Sequence, residues 1–452
     1  MTKIVFVFLF LVSSLVFAAK NPTQFMSLTD IHFDPFTTCT KEITPCPIIE
    51  KLQNSSVDQW DTILTTNDTL PPKYKQDTNY TLLKSALLQC QKTARLTHPR
   101  FVIVLGDFLG HDFRQHYDFY SSDKTQQGYQ SFVKKTLEFL AQKIAVTFPT
   151  IDVYTAVGNN DSYQDDYFSD PNGDFFNDMA STWSRLIKDK NNQKTMKKEF
   201  PTGGYYAIDF PSEPRFRLIV LNSVLFSNKS QGTSVDIAAE QELNWLHDEL
   251  QSVRRQHQIA LIAMHIPAGV DVFASLKNTP FTVVSLWKPV YTQRFQEELQ
   301  AYANNIIAIL PAHFHMDEFQ VLSMENVKSI PVIFTPAISP LFGNNPGFKV
   351  YRYSHRSHQL TDFVTYTNAL STTQTWNKEY DFNTLYQPDC ANCSLIDGMN
   401  RLQKTGDLAN YFMTYFSGGT TSQPITTKWL PYYWCDIHTI IPVDYQNCID
   451  AE

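Results

Sequence analysis

Phe101-Val102-Ile103-Val104-Leu105-Gly106-Asp107-Phe108-Leu109-Gly110-His111-Asp112 opens on an apolar, β-rich run and then switches to glycine, aspartate and histidine. The run has the length and side-chain shape of a buried strand. The polar residues fall where open α/β sheets place ligands, just past the carboxyl end of a strand. The same grammar recurs along the chain. Apolar runs at Gln24–Leu28, Asp152–Val157, Leu218–Val224, Ile259–Met264, Ile306–Leu310 and Val332–Thr335 alternate with helical stretches such as Tyr129–Val146 and Ala238–His257, where apolar residues return every three or four positions. Alternation of this kind predicts a layered α/β fold.

Most of these runs end in residues able to bind a metal or a phosphate. Asp30-Ile31-His32 follows the first, Gly158-Asn159-Asn160-Asp161 the third, His265-Ile266-Pro267 the run ending at Met264, and Pro311-Ala312-His313-Phe314-His315 the run ending at Leu310. If the strand geometry continues through Asp-x-His and His-x-His, its period of two puts both side chains of each pair on one side, so one segment supplies two converging ligands. A single Asp-x-His is usually a solvated loop, and a single buried histidine is usually a hydrogen-bonded core residue. The full ordered set, each fragment at a strand end, points to one shared site.

The series Asp-x-His, Gly-Asp, Gly-Asn-x-Asp, His, His-x-His resembles the signature of the calcineurin-like metallophosphoesterases. The fuller fragments, Thr29-Asp30-Ile31-His32, Gly106-Asp107 with His111-Asp112, His265-Ile266-Pro267 with Gly269, and His313-x-His315 before Asp317-Glu318-Phe319, are similar to the acid sphingomyelinase-like branch of phosphodiesterases. The resemblance implies a layered β-sandwich core flanked by helices, with a small helical C-terminal subdomain. It implies two divalent metal ions, with Asp30, His32 and His315 on one, Asn159, His265 and His313 on the other, and Asp107 bridging both. The family implies zinc. The donor set, imidazoles and carboxylates without a nearby thiolate, also suits iron or manganese. The implied reaction is attack of a metal-bridging hydroxide on phosphorus.

His111 is the expected general acid, and His111 and Asn160 are the expected substrate-binding residues. Asn160 stands where the family usually has a phosphate-binding histidine, a variant that also resembles endopolyphosphatases, and an amide cannot give up a proton. Ala312 stands where the usual motif has glycine, and would be strained if its φ were positive. The implied substrates are phosphodiesters or phosphoanhydrides: nucleotides, phosphocholine-type headgroups, sphingomyelin-like lipids or polyphosphate. A phosphomonoesterase of the same fold and a non-catalytic secreted binding protein on the same scaffold are the alternatives.

The remaining sequence sets the context. Lys3 precedes an apolar stretch from Ile4 to Val12, with small or apolar residues at Val16-Phe17-Ala18, which reads as a signal peptide over 1–18 and a secreted or extracytoplasmic protein. No later apolar run is long enough to cross a hydrocarbon core of about 30 Å. A net charge of −8 without an extended basic run argues against a nucleic-acid groove. The 452 residues divide into a catalytic domain over 19–370 and a C-terminal subdomain over 371–452, where composition shifts to Thr, Asn, Gln, Trp and Tyr and helices such as Leu395–Gln403 and Asp407–Phe416 are expected. The segment Lys51–Thr81, with Pro71-Pro72, reads as a long surface excursion. Of the seven cysteines, Cys39–Cys46, Cys390–Cys393 and Cys435–Cys448 are the expected bridges, leaving Cys90 free on a helix. Sequons occur at Asn54, Asn67, Asn79, Asn160, Asn228 and Asn392. Trp429 to Trp434 packs a small core or makes transient contact with substrate or a membrane surface.

Overall fold

A computed structural model describes residues 23–210, 213–370, 375–386, 393–405, 425 and 428–452. The expected signal peptide, the helix expected over Asp407–Phe416, and Cys390 lie outside the described residues.

Two six-stranded mixed sheets form the centre. The first contains β1 (Thr23–Leu28), β2 (Phe101–Val104), β3 (Asp152–Thr155), β10 (Gly347–Ser354), β11 (Gln359–Asn368) and β12 (Trp376–Asp381), in the order β12-β11-β10-β1-β2-β3. Strands β1, β2 and β3 run parallel, and the last three pair antiparallel. The second contains β4 (Tyr206–Phe210), β5 (Glu213–Val220), β6 (Ile259–Ala263), β7 (Ile306–Leu310), β8 (Phe319–Leu322) and β9 (Ile330–Ile333), in the order β4-β5-β6-β7-β9-β8. Here β5, β6, β7 and β9 run parallel, and the edges β4 and β8 pair antiparallel.

The strand period explains the layering. In β6, Leu261 and Ala263 join the core shared with the first sheet, whereas Ala260 and Ile262 face a second core. That second core is closed by the helices Thr233–Arg255 and Pro289–Tyr302, through Leu243, Leu246, Leu250, Phe295 and Leu299. Both sheets therefore bury each face, one in the sandwich and one under helices, as parallel strands require. The parallel strands β1, β2, β3, β6 and β7 send their carboxyl-terminal loops into one region, where every candidate ligand sits.

Several expectations need correction. The segment Lys51–Thr81 is not a bare excursion: the helices Pro47–Asn54 and Trp60–Asn67 fill much of it and bury Leu52, Trp60 and Leu64 in the main core. Strand β12 lies past residue 370 yet pairs with β11 from Val364↔Asp381 to Asn368↔Trp376, so the sheet crosses the expected change from strands to helices. Cys39–Cys46 and Cys435–Cys448 are bridged, the second joining the helices Leu430–Asp436 and Pro442–Ala451. Cys90 is free and buried on the helix Tyr80–Thr97. No helix among the described residues is long and apolar enough to cross a membrane.

Candidate metal centre

The candidate ligands do not continue the strands that precede them. Asp30 and His32 have φ of 45° and 42°, Asp107 53°, His313 75° and His315 66°. Side chains in Asp-x-His and His-x-His thus converge through left-handed backbone just beyond β1 and β7, and not through the strand period. Each such residue costs on the order of 1–3 kcal/mol and persists only where surroundings over-determine it. Here they do: Asp30 N–H donates to Gly106 O (3.1 Å), His32 N–H to Asp107 O (2.9 Å), and Ala312 N–H to His265 O (2.9 Å). Ala312 is absent from the positive-φ residues, so the strain expected there falls on the neighbouring histidines. Gly106 and Gly158 let two of the loops touch backbone to backbone, since a Cβ on Gly106 would lie 2.6 Å from Gly158 N and one on Gly158 2.1 Å from Asp107 N.

The structure brings Asp30, His32, Asp107, Asn159, His265, His313 and His315 together. His32 Nε2 lies 3.2 Å from His315 Nε2 and 3.3 Å from Asp107 Oδ2. On the other side of that same oxygen, His265 Nε2 lies 3.1 Å away, and it also lies 3.1 Å from Asn159 Oδ1. The rings of His265 and His313 are 5.3 Å apart. Three overlapping groups can each hold an ion: Asp30 with His32 and Asp107, Asp107 with His265 and His313, and His32 with His111 and His315.

The residues fit metal ions on several counts. Asp30 Oδ1 is buried without a hydrogen-bond partner, and faces Nε2 of His315, His32 and His265 at 3.4, 3.7 and 3.9 Å. His32 Nδ1–H donates to Leu109 O (2.9 Å) and His265 Nδ1–H to Leu105 O (2.8 Å), which fixes the ring so that Nε2 carries the lone pair facing the cluster. Donor spacings of 3.1–3.3 Å match ligands about 2.0–2.1 Å from a tetrahedral ion.

The electrostatics agree. Burial pushes the carboxyl groups of Asp107 and Asp30 up, but the surrounding histidines hold both below the usual range. Burial pushes the His32 and His265 imidazoles down, but the two aspartates raise them to about 10 and about 9. Burial takes His313 and His315 down to about 3. Two buried carboxylates thus demand positive charge, which His32 and His265 carry where no cation supplies it, while His313 and His315 stand by as neutral imidazoles.

Further residues orient the ligands. Asp161, within the quoted Gly-Asn-Asn-Asp fragment but given no role from sequence, accepts backbone N–H groups of Asp107 (2.9 Å), Phe108 (2.8 Å) and Gly158 (2.9 Å), tying the β2 loop to the β3 loop. Asp166 accepts from Asn159 Nδ2 at 2.7 Å, which turns the amide oxygen toward His265. Asp77 accepts from His111 N (2.7 Å) and sits 3.1 Å from His111 Nδ1. His111 stacks on His32 with ring centroids 4.0 Å apart. Asn160 engages the shared carboxylate: its Nδ2 donates to Asp107 Oδ2 (2.9 Å) and its backbone N–H to Asp107 Oδ1 (2.8 Å). Asp77, Asp166 and Tyr167 carry no motif and enter on irregular loops, so sequence reasoning had no periodic signal to follow.

The cluster opens into a cleft of about 660 Å³. Asp107, His111, Asn159, His313 and His315 line its base, Lys75, Lys229 and Lys277 add positive charge, and Phe273, Phe314 and Phe342 face Trp429 and Tyr433 from the C-terminal region. The aromatic stretch expected to pack a core or touch a ligand does some of each, since Tyr433 is buried and Trp429 is 37% exposed.

No protein-family model matches the chain. Acid sphingomyelinase-like phosphodiesterase 3b of Mus musculus is 23% identical over 412 residues, covering 87% of this chain and 82% of its own length. Sphingomyelinase phosphodiesterase D of Dictyostelium discoideum is 24% identical over 428 residues, 88% of this chain and 89% of its own. Cyclic GMP-AMP phosphodiesterase SMPDL3A of Homo sapiens is 22% identical over 450 residues, 95% of this chain and 91% of its own. Among solved structures, a dimetal phosphatase from Danio rerio aligns with a TM-score of 0.44 and 11% identity over 79% of this chain and 98% of its own. With similarity running through most of its length, the chain is a sequence relative of the acid sphingomyelinase-like phosphodiesterases.

Proposed function

We propose that the protein is a metal-dependent phosphoric ester hydrolase that cleaves phosphodiester or phosphoanhydride bonds at the Asp107 cluster. The observation that carries this reading is the position of Asp107 Oδ2, within 3.3 Å of His32 Nε2 and 3.1 Å of His265 Nε2, so that one carboxylate oxygen serves both halves of the site. Asp30, His32 and His315 would hold one divalent ion, Asn159, His265 and His313 the other, with zinc favoured by the nitrogen-rich donor set and iron or manganese acceptable to it. Two such ions activate water near neutral pH and neutralise phosphoryl oxygens.

The chain's own residues supply the rest. His111, with Nδ1 engaged by Asp77, offers Nε2 to a phosphate oxygen or a leaving group at the cleft wall. Tyr167, Phe342 and Trp429 line the cleft and would offer apolar faces to the remainder of the substrate. Nucleotides, phosphocholine-type headgroups, sphingomyelin-like lipids and polyphosphate all present the needed bond. The apolar stretch Ile4–Val12 and the disulfides Cys39–Cys46 and Cys435–Cys448 support an extracytoplasmic protein. The test is metal analysis of purified protein with hydrolysis of bis-p-nitrophenyl phosphate and p-nitrophenyl phosphate across pH. Two bound ions and faster diester cleavage are expected; metal-free protein with no hydrolysis after reconstitution would reject the reading.

A further inference from the structure

Lys229 stands at the cleft wall without a close ion pair among the described residues, in electrostatic range of the Asp166 and Asp271 carboxylates. Its Nζ donates to Tyr167 Oη at 3.2 Å and lies over the Tyr167 ring, 4.5 Å from the centroid. Tyr167 Oη in turn lies 3.4 Å from His313 Nε2. The cation is therefore two hydrogen bonds from a candidate metal ligand, with the tyrosine hydroxyl between them.

The loop that carries Lys229 is pinned on both sides. Asn228 Nδ2 donates to Ser285 O (2.7 Å) and Trp287 O (2.9 Å), and Asn228 N–H to Leu286 O (2.9 Å). Ser230 Oγ donates to Val224 O (2.6 Å) and lies 3.1 Å from Tyr167 O. Tyr167 itself is held by N–H donation to Asn159 O (2.8 Å), and its φ of 59° aims the ring across the cleft. Such anchoring leaves little entropy to lose when the ammonium meets an anion. The neighbouring carboxylates also accept hydrogen bonds, Asp166 from Asn159 and Asp271 from the N–H of Ala274, and they share the Lys229 charge with any bound anion.

We propose that Lys229 binds the phosphate adjacent to the one held at the Asp107 cluster, and so makes the site selective for substrates with at least two linked phosphates. The proposal rests on the hydrolase reading above. The path from the cluster to the ammonium runs from His313 Nε2 through Tyr167 Oη to Lys229 Nζ, and on that path it is the second phosphate, not the one at the cluster, that the ammonium takes. Lys229 is a specificity-determining residue and takes no part in bond cleavage.

The experiment compares ATP with bis-p-nitrophenyl phosphate, which carries one phosphorus, on metal-reconstituted wild type, Lys229→Gln and Lys229→Arg. Lys229→Gln should raise KM for ATP by roughly 10-fold or more, the scale of one charge-assisted hydrogen bond, leave kcat and metal content unchanged, and leave KM for the monophosphorus diester within about twofold. Lys229→Arg should restore most of the ATP affinity. Equal losses on both substrates, reduced metal content, or an unaltered KM for ATP would overturn the assignment. Wild type that hydrolyses neither substrate would overturn the hydrolase reading itself, and this proposal with it.

Discussion

Asn160 donates its side-chain amide to Asp107 Oδ2 at 2.9 Å, on the same oxygen that faces His32 and His265. The residue expected to contact the phosphate thus also holds the carboxylate shared by the cluster. An amide also gives no proton to a leaving group, a contribution of about 10²–10⁴-fold where the leaving group is a poor one. Wild type should therefore show a higher kcat/KM for ATP, whose leaving phosphate carries its charge well, than for sphingomyelin, and Asn160→His should narrow the gap. Asn160→Ala should loosen Asp107 and weaken metal binding by about 10–100-fold. Equal kcat/KM on both substrates, or unaltered metal affinity in Asn160→Ala, would refute the corresponding half.

Asp166 acts on the opposite side of the cluster by orienting Asn159. Asp166→Ala should free the amide to rotate and weaken one of two metal sites by about 10–100-fold, with little change in thermal stability. Metal titrations followed by calorimetry check this, and equal weakening of both sites would show that Asp166 works in another way.

Asp436 is 1% exposed, accepts from Gln320 Nε2 at 3.0 Å, and is pushed by burial up to about 7. Its neighbour Glu318 is raised well above its usual value, again by burial first and then by Asp436. A carboxyl whose folded pKa lies above its unfolded one contributes stability that is fully present below about pH 4 and lost as pH rises through the folded value. Asp436 should therefore make the melting temperature fall between about pH 4 and pH 7, and Glu318 should act in the same direction. Asp436→Asn, which keeps the hydrogen bond and cannot ionise, should flatten that decline. An unchanged slope would remove Asp436 as its source.

Much of the site was legible because each ligand followed an apolar run that ended abruptly: Leu28 before Asp30, Leu105 before Asp107, Met264 before His265, Leu310 before His313. What failed was the reason for convergence. Left-handed backbone at Asp30, His32, His313 and His315 is imposed by contacts between loops distant in sequence, and no local pattern encodes it. Strand β10 was missed for a related reason, since Lys349 sits fully buried in the middle of it and breaks the apolar signal. Asp166, Tyr167 and Lys229 belong to loops whose placement depends on tertiary packing alone.

That buried lysine makes its own prediction. Lys349 Nζ lies 2.5 Å from Asp317 Oδ1, while Asp317 Oδ2 accepts from Thr365 Oγ1 (2.9 Å) and Tyr380 Oη (3.0 Å). The pair ties β10 and β11 to the loop carrying His315. Lys349→Met leaves a buried carboxylate unpaired and should cost about 3–5 kcal/mol, whereas Lys349→Met with Asp317→Leu should recover most of it. Chemical denaturation measures both, and a double variant no more stable than the single one would contradict this account of the pair.

In the proposed reading, Asp107 joins two ions in one site. Electron paramagnetic resonance of protein reconstituted with manganese distinguishes this from separate sites, because ions sharing a carboxylate about 3.5–4 Å apart are magnetically coupled and isolated ions are not. Wild type should take up two ions per chain and give a coupled spectrum, and Asp107→Ala should lose that spectrum together with more activity than any other single ligand change. Two ions with the spectrum of isolated manganese in wild type, or a coupled spectrum that survives Asp107→Ala, would contradict the claim.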